Sequence, residues 1–174
     1  MKRLLLCFFM ATALVSAPLA LDSDGMGELS NSQIEQNAES LHPGALYILA
    51  GRLLEEGKGQ EAANWMYAGQ LRYRFMLEAG NDPMGQEMLQ FNALSEQIGR
   101  PVNEYIAGDV DEWLAAMDWA LAWDQANDNG VTSKLDYADE LERVRSGLED
   151  LRAKVEASRE TIPQEREANG LENR

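Results

Sequence analysis

The sequence predicts an all-α protein: a compact helical body built on a helical hairpin and followed by a long, heptad-patterned C-terminal helix. Apolar residues recur at intervals of three and four along most of the chain, as they do on one face of an α-helix. Clusters of glycine, asparagine and proline interrupt these runs, as at residues 127–130. A hydrophobic fraction of 45% in 174 residues is enough for one packed domain of ordinary size.

The first 20 residues have the pattern of a secretory signal peptide. Lys2 and Arg3 form a short positive region, and the apolar run at 4–15 is too short to span a bilayer. Small residues follow this run, and we expect cleavage after Ala20. The alternative is an uncleaved membrane anchor. The expected location of the protein is therefore periplasmic or secreted.

The mature chain divides into a leader, a helical domain, a long helix and a tail. Residues 21–41 are polar and are expected to form a flexible leader, with a short helical turn near Ile34. Residues 42–130 form the predicted helical domain. Its helices are predicted at about 43–56, 60–79, 84–98, 102–107 and 110–126, with a turn at 80–83, a break at Gly99–Pro101 and a cap at Asp109.

The first two predicted helices resemble a known helical hairpin. Small and apolar residues follow the spacing of one tetratricopeptide unit at Leu49, Ala50, Leu53, Gly57, Ala62, Met66 and Gly69. Residues 62–65 are similar to the second helix of a Sel1-like repeat. The resemblance covers residues 43–76, Arg74 stands where that unit has a proline, and no second copy is in register. It implies a single hairpin whose function is contact with another protein.

Residues 131–162 are predicted to form the long amphipathic helix. Its apolar seam consists of Tyr137, Leu141, Val144, Leu148, Leu151, Val155, Ser158 and Ile162. This seam either docks on the protein's own body or pairs with a second copy in a homodimer. Lys154 and Arg159 would repel their counterparts in a parallel pair, so an antiparallel or intramolecular arrangement is favoured. Residues 163–174 are expected to be a disordered tail.

Charge limits the classes of partner. The chain has 30 acidic and 15 basic side chains, which give a net charge of −15. Proteins that bind nucleic acid need basic residues to neutralise phosphates, so the charge argues against nucleic acid. It also argues against binding to anionic lipid, and we expect no membrane contact after signal cleavage. A basic protein partner and simple solubility are both compatible with it.

Residues for metal binding and covalent catalysis are scarce. The one cysteine, Cys7, lies in the signal peptide, and the one histidine, His42, precedes a proline at a predicted helix start. The acidic segment 124–129 lacks the ligand spacing and the closing glutamate of a calcium-binding EF-hand loop. We therefore expect no catalytic residue, no cofactor and no metal site.

Carboxylates interleaved with tryptophans leave one enzymatic alternative open. Asp111, Asp118 and Asp124 lie among the tryptophans of the predicted helix at 110–126, and such clefts can bind sugars. The favoured interpretation is that these carboxylates form the solvated face of an amphipathic helix. The alternative is a protein that binds or hydrolyses cell-wall sugar.

Six residues are candidates for partner binding: Arg72, Arg74, Trp119, Arg145, Arg152 and Arg159. Arg72 and Arg74 flank Tyr73, and they either pair with carboxylates of neighbouring helices or clamp a carboxylate of a partner. We predict an exported, non-catalytic protein that acts through protein–protein contacts. The main alternative is an acidic immunity or inhibitor protein that neutralises a basic toxin or hydrolase.

Overall fold

The computed structural model describes residues 23–80 and 85–174. The predicted signal peptide and most of the predicted turn at 80–83 lie outside these residues. Within them the protein is helical and contains no strand, which confirms the all-α fold class. No helix in this part of the chain has the length and apolar character needed to cross a membrane.

Eight α-helices form the described part of the fold. In chain order they are α1 (Asn31–Asn37), α2 (Gly44–Glu55), α3 (Gly59–Ala79), α4 (Gln86–Leu94), α5 (Arg100–Ile106), α6 (Val110–Ala126), α7 (Ala138–Ala157) and α8 (Ile162–Ala168). A 3-10 helix at Ser23–Glu28 precedes α1.

Helix α3 is the central element, and it packs against α2, α5, α6 and α7. Gly57 terminates α2, as predicted, and adopts the left-handed conformation (φ 77°) that favours glycine. Gly69 lies at a close approach of α3 to α2, because a Cβ atom there would be 3.1 Å from the Cβ of Leu46. The absence of a side chain at Gly69 therefore allows the close packing that the sequence predicts.

The described part of the leader is folded, whereas the sequence predicted that it is flexible. Ser30 caps α1 in a reciprocal capping box with Gln33, and Ile34 has no exposed surface. The guanidinium of Arg52 donates to the carbonyls of Gly27 and Leu29, at 2.6 and 2.5 Å. Residues 23–41 are therefore folded against α2.

The predicted break at Gly99–Pro101 is also absent. Helix α4 continues through a π-helical turn, Ser95–Gly99, directly into α5, and Gly99 has helical angles (φ −60°, ψ −42°). Pro101 lies in the first turn of α5, where its missing N–H group is tolerated. The proline therefore marks a change of helix type and not a loop.

Helix α7 covers the body and does not extend from it. Val144, Leu148 and Val155 are buried, and the helix packs against α3 and α6. It begins at Ala138, seven residues after the predicted start at residue 131, and Tyr137 of the predicted seam stays 40% exposed. The intramolecular docking that the heptad pattern left open is thus present.

The tail is ordered, whereas the sequence predicted a disordered tail at residues 163–174. It forms α8 and then returns to the body, where the backbone N–H of Arg174 donates to the carbonyl of Gly108 at 2.8 Å. The guanidinium of Arg174 lies 3.8 Å from the ring centre of Tyr105 and donates to Glu112 at 2.5 Å. These contacts fix the end of the chain beside α5 and α6.

Candidate functional site

Asp124 of α6 is the electrostatic centre of the protein. It is fully buried, and its carboxylate forms ion pairs with Arg72 of α3 (3.4 Å), Arg145 of α7 (3.0 Å) and Lys134 (3.3 Å). The prediction that Asp124 belongs to the solvated face of its helix is therefore wrong.

Arg72 and Arg145 are occupied within the chain. Arg72 also donates to four backbone carbonyls, those of Ala38, Glu39, Asn127 and Asp128. Burial lowers the pKa of the Arg72 guanidinium, and the charge of Asp124 partly opposes this effect. Neither arginine presents its guanidinium to a partner, so the structure gives both a structural role.

Arg152 of α7 and Arg159, two residues beyond the end of α7, continue a ladder of ion pairs towards the other end of α6. Arg152 binds Asp118 with two hydrogen bonds of 2.6 and 3.0 Å, and Arg159 binds Asp111 at 2.6 Å. The hydrogen bonds that Arg152 donates to the carboxylate of Asp118 raise the pKa of the arginine. The ladder fixes α7 antiparallel to α6, and it engages carboxylates that a sugar-cleaving site would need free.

Trp119 belongs to a half-buried aromatic cluster. It is stacked on Trp123, with ring centres 6.1 Å apart, and it meets the edge of Trp65 at 5.1 Å. Trp123 in turn lies under the guanidinium of Arg72, 4.2 Å from its ring centre. The cluster therefore shields the buried ion pair, and Trp119 supports the core from its edge.

His42 serves the start of α2, as predicted. Its Nδ1 accepts from the backbone N–H of Gly44 at 3.1 Å, so Nε2 is the protonated nitrogen and donates to Glu87 at 3.2 Å. Tyr73 donates to the same carboxylate oxygen at 2.8 Å.

Within residues 23–80 and 85–174, no cluster of histidine, cysteine and acidic side chains could hold a metal ion.

A groove between α3 and α7 is the main concave feature near the candidate arginines. It encloses about 330 Å³, and we call it the α3–α7 groove. Its lining consists of Gln70, Leu71, Arg74, Glu78, Arg143, Val144, Gly147, Leu148 and Leu151. The leucine and valine side chains form an apolar floor, and the charged side chains lie at its rim. The groove therefore offers both apolar and charged contacts.

Arg74 differs from the other five candidates. Its side chain is exposed in the groove, and the guanidinium lies 5.6 Å from the ring centre of Phe91. No carboxylate in the described part of the chain forms an ion pair with it. The second arginine of the groove, Arg143, is bound to Glu78 (3.2 Å) and Glu140 (2.9 Å). The groove thus has one cation that its own described residues leave uncompensated.

The segment before α7 presents apolar side chains next to this groove, and we call it the 131–137 loop. Val131 and Tyr137 are each 40% exposed, and Leu135 is 90% exposed. Both Val131 and Tyr137 line a cleft with the last turn of α3, the helix that also carries Arg74. The loop therefore lies at the same edge of the molecule as the groove.

The 131–137 loop is held firmly. The side-chain oxygen of Asn129 accepts from the backbone N–H groups of Val131 and Thr132, at 3.1 and 3.0 Å. Lys134 donates to the backbone carbonyls of Asp124 and Asn127. Sequence reasoning missed this loop because it assigned residues 131–137 to the helix. The available signal was Leu135, an apolar residue off the predicted seam.

The chain matches no family model, no curated protein and no solved structure in the comparisons with known proteins. The resemblance of residues 43–76 to one tetratricopeptide or Sel1-like hairpin stays a prediction, although α2 and α3 do form a tight hairpin.

Proposed function

We propose that this is an exported, non-catalytic protein that acts through protein–protein contact at the α3–α7 groove. The observation that carries the proposal is the exposed guanidinium of Arg74, which lacks a carboxylate partner among the described residues. Arg72, Arg145, Arg152 and Arg159 each have such a partner within the chain. Arg74 is thus the candidate residue whose charge remains available.

The groove fits a segment that carries a carboxylate beside an apolar side chain. Leu148 and Leu151 would contact the apolar group, and Arg74 would bind the carboxylate with two charge-assisted hydrogen bonds. Both walls are helices, and the ladder of ion pairs fixes α7 in place. A groove that is already formed loses little conformational entropy when it binds.

The proposed location rests on the N-terminal sequence alone. A short positive region followed by an apolar run and small residues is typical of a secretory signal. Mass spectrometry of the protein from its native cells tests this, and we expect a chain that starts near Leu21. An intact Met1 would instead indicate an uncleaved anchor.

A photo-crosslinking amino acid at position 147 tests the contact site. Gly147 lies in the groove on α7, and a Cβ atom there meets nothing within 4 Å, so the substitution fits. We expect one defined crosslinked protein, and loss of that product when Arg74→Ala is added. The matched control places the same amino acid at Glu149, an exposed position of α7 outside the groove lining. A product that persists without Arg74 would contradict the proposal.

A second candidate function is that of an acidic inhibitor or immunity protein with a basic partner. The exposed side of α7 carries Asp139, Glu142, Glu149 and Asp150, none of which forms an ion pair within the described residues. A basic surface would be attracted to this row of carboxylates. In that case the position-149 probe captures a basic protein, and Glu142→Lys with Asp150→Lys abolishes capture while Arg74→Ala does not.

A further inference from the structure

We propose that the α3–α7 groove receives the 131–137 loop of a second copy of this chain, so that two copies pair about a two-fold axis and exchange their loops. This inference rests on the proposed function, because it requires the groove to be a contact site, and it names the partner. Three properties of the described residues carry it: an apolar match, a charge match and the positions of the loop and the groove along α7.

The apolar match is between Leu135 and the floor of the groove. At 90% exposure, Leu135 is the most exposed large apolar side chain of residues 23–80 and 85–174. It stands on a loop that Asn129 and Lys134 hold in place. A side chain held in this way loses little freedom when it is buried by a partner, so its apolar surface contributes to binding. Leu148 and Leu151 of the groove supply apolar contacts for it.

The charge match is between Asp136 and Arg74. Asp136 follows Leu135, is exposed, and forms no ion pair within the described part of the chain. Arg74 is at the rim of the groove, and no carboxylate of the described residues forms an ion pair with it. The loop thus presents the combination that the groove fits, an apolar side chain with a carboxylate next to it. One chain therefore carries both halves of a complementary contact.

The positions of the two features permit a reciprocal exchange. The loop ends where α7 begins at Ala138, and the groove is centred near Gly147 on the same helix, roughly 14 Å further along at 1.5 Å per residue. A two-fold axis that crosses α7 between them, near Leu141, places each loop over the groove of the other copy. The two α7 helices then run antiparallel. Such an isologous contact closes on itself and gives a dimer.

Charge-reversal variants in analytical ultracentrifugation test this pairing, at about 0.15 M salt, where the repulsion between two acidic chains is screened beyond ~8 Å. We expect the unaltered protein to sediment as a dimer. Arg74→Glu and Asp136→Arg should each raise the dimer dissociation constant at least about tenfold, because each places like charges in both halves of the homodimer. Leu135→Ser should weaken the dimer as well.

Mixing the two charge variants gives the decisive result. In a heterodimer of Arg74→Glu with Asp136→Arg, one half pairs Glu with Arg and the other retains the original Arg74–Asp136 pair. We therefore expect the equimolar mixture to dimerise although neither variant does so alone. Glu149→Arg is the matched control, since it makes the same change of charge on the exposed side of α7 and should leave the dimer intact. Circular dichroism verifies that each variant is folded.

Three results would overturn the inference. The unaltered protein could stay monomeric at every concentration tested, the dimer dissociation constant could be unchanged by both charge reversals, or the mixture of the two variants could fail to dimerise. The position-147 crosslinker separates this failure from failure of the proposed function. An Arg74-dependent crosslink to a different protein keeps the groove as a contact site and excludes the second copy as its occupant. A crosslink of twice the chain mass supports both.

Discussion

Arg72 and Asp124 are buried together between α3 and α6, with the Nε of the arginine 3.4 Å from the Oδ1 of the aspartate. Their exposed fractions are 2% and 0%. Because Asp124 also binds Arg145 and Lys134, one carboxylate joins α3, α6, α7 and the 131–137 loop. The positions of both the α3–α7 groove and the loop therefore depend on this buried pair, which contacts the loop through Lys134 and does not line the groove.

We predict that Asp124→Asn destabilises the protein by about 3–5 kcal/mol, because removal of one partner leaves a buried charge without compensation. Chemical denaturation followed by circular dichroism measures the loss. Asp118→Asn is the matched control, since Asp118 pairs with Arg152 at the surface and should change the free energy of unfolding by less than about 1 kcal/mol. Equal losses for the two variants would contradict the central role of Asp124.

The seam of α7 could be predicted from the sequence because helical periodicity is a local property. The spacing of Val144, Leu148 and Val155 identifies one helix face, and that face is buried. Which surface it packs on is not local. The seven-residue spacing of Arg145, Arg152 and Arg159 is visible in the sequence, but their partners on α6 follow only from the antiparallel docking.

Two other features show the same difference between local and non-local signals. Ser30 and Gln33 form a capping box just before Ile34, a pattern that could have predicted α1 inside the polar leader. The order of the tail depends instead on Arg174 reaching Tyr105, a contact between residues 69 positions apart that no local pattern contains. Of the candidate site, Arg74 was predicted and Leu135 was not, since its exposure depends on where α7 begins.

Two glycines should respond in opposite directions to alanine. At Gly59 an added Cβ atom would overlap the ring of Tyr105, a rigid group that must shift as a whole, and we expect a loss of about 1–3 kcal/mol. At Gly147 the space is open, and we expect a gain of roughly 0.5–1 kcal/mol from the better helix propensity of alanine. Thermal and urea unfolding measure both changes.

A second substitution isolates the cause at Gly59. If the overlap with Tyr105 is responsible, Tyr105→Ala should remove most of the additional loss caused by Gly59→Ala, so the two changes will not add. Additive effects would show that helix geometry, and not the ring, sets the requirement for glycine.

Alkaline pH should destabilise the fold through Tyr67. Burial raises the pKa of Tyr67 to about 12, although the N–H of Trp113, 2.5 Å from the hydroxyl, partly opposes this. Below pH ~10 the hydroxyl is protonated in both the folded and the unfolded chain. Between the two pKa values only the unfolded chain releases the proton, so stability falls as pH rises. The loss should approach roughly 2–3 kcal/mol near pH 12.

Urea unfolding from pH 9 to 12 tests this prediction, together with tyrosinate absorbance near 295 nm. Tyr67→Phe should flatten the fall in stability across this range. It should also lower stability at neutral pH, because it leaves Asn103 and Trp113 without their hydrogen-bond partner. An unchanged slope in the variant would assign the alkaline effect to other groups, such as the buried Tyr47, whose pKa is also raised by burial.

Deletion of the chain from Ser133 onward decides whether the seam closes the core. The deletion removes Lys134 and Arg145 from the buried carboxylate of Asp124, and it exposes the faces of α3 and α6 that α7 covers. We therefore expect loss of cooperative unfolding and of near-ultraviolet circular dichroism. Deletion of 163–174 is the matched control, because it removes only α8 and the contacts of the tail and should leave a folded body. A truncation at Ser133 that still unfolds cooperatively would show that Arg72 alone compensates Asp124.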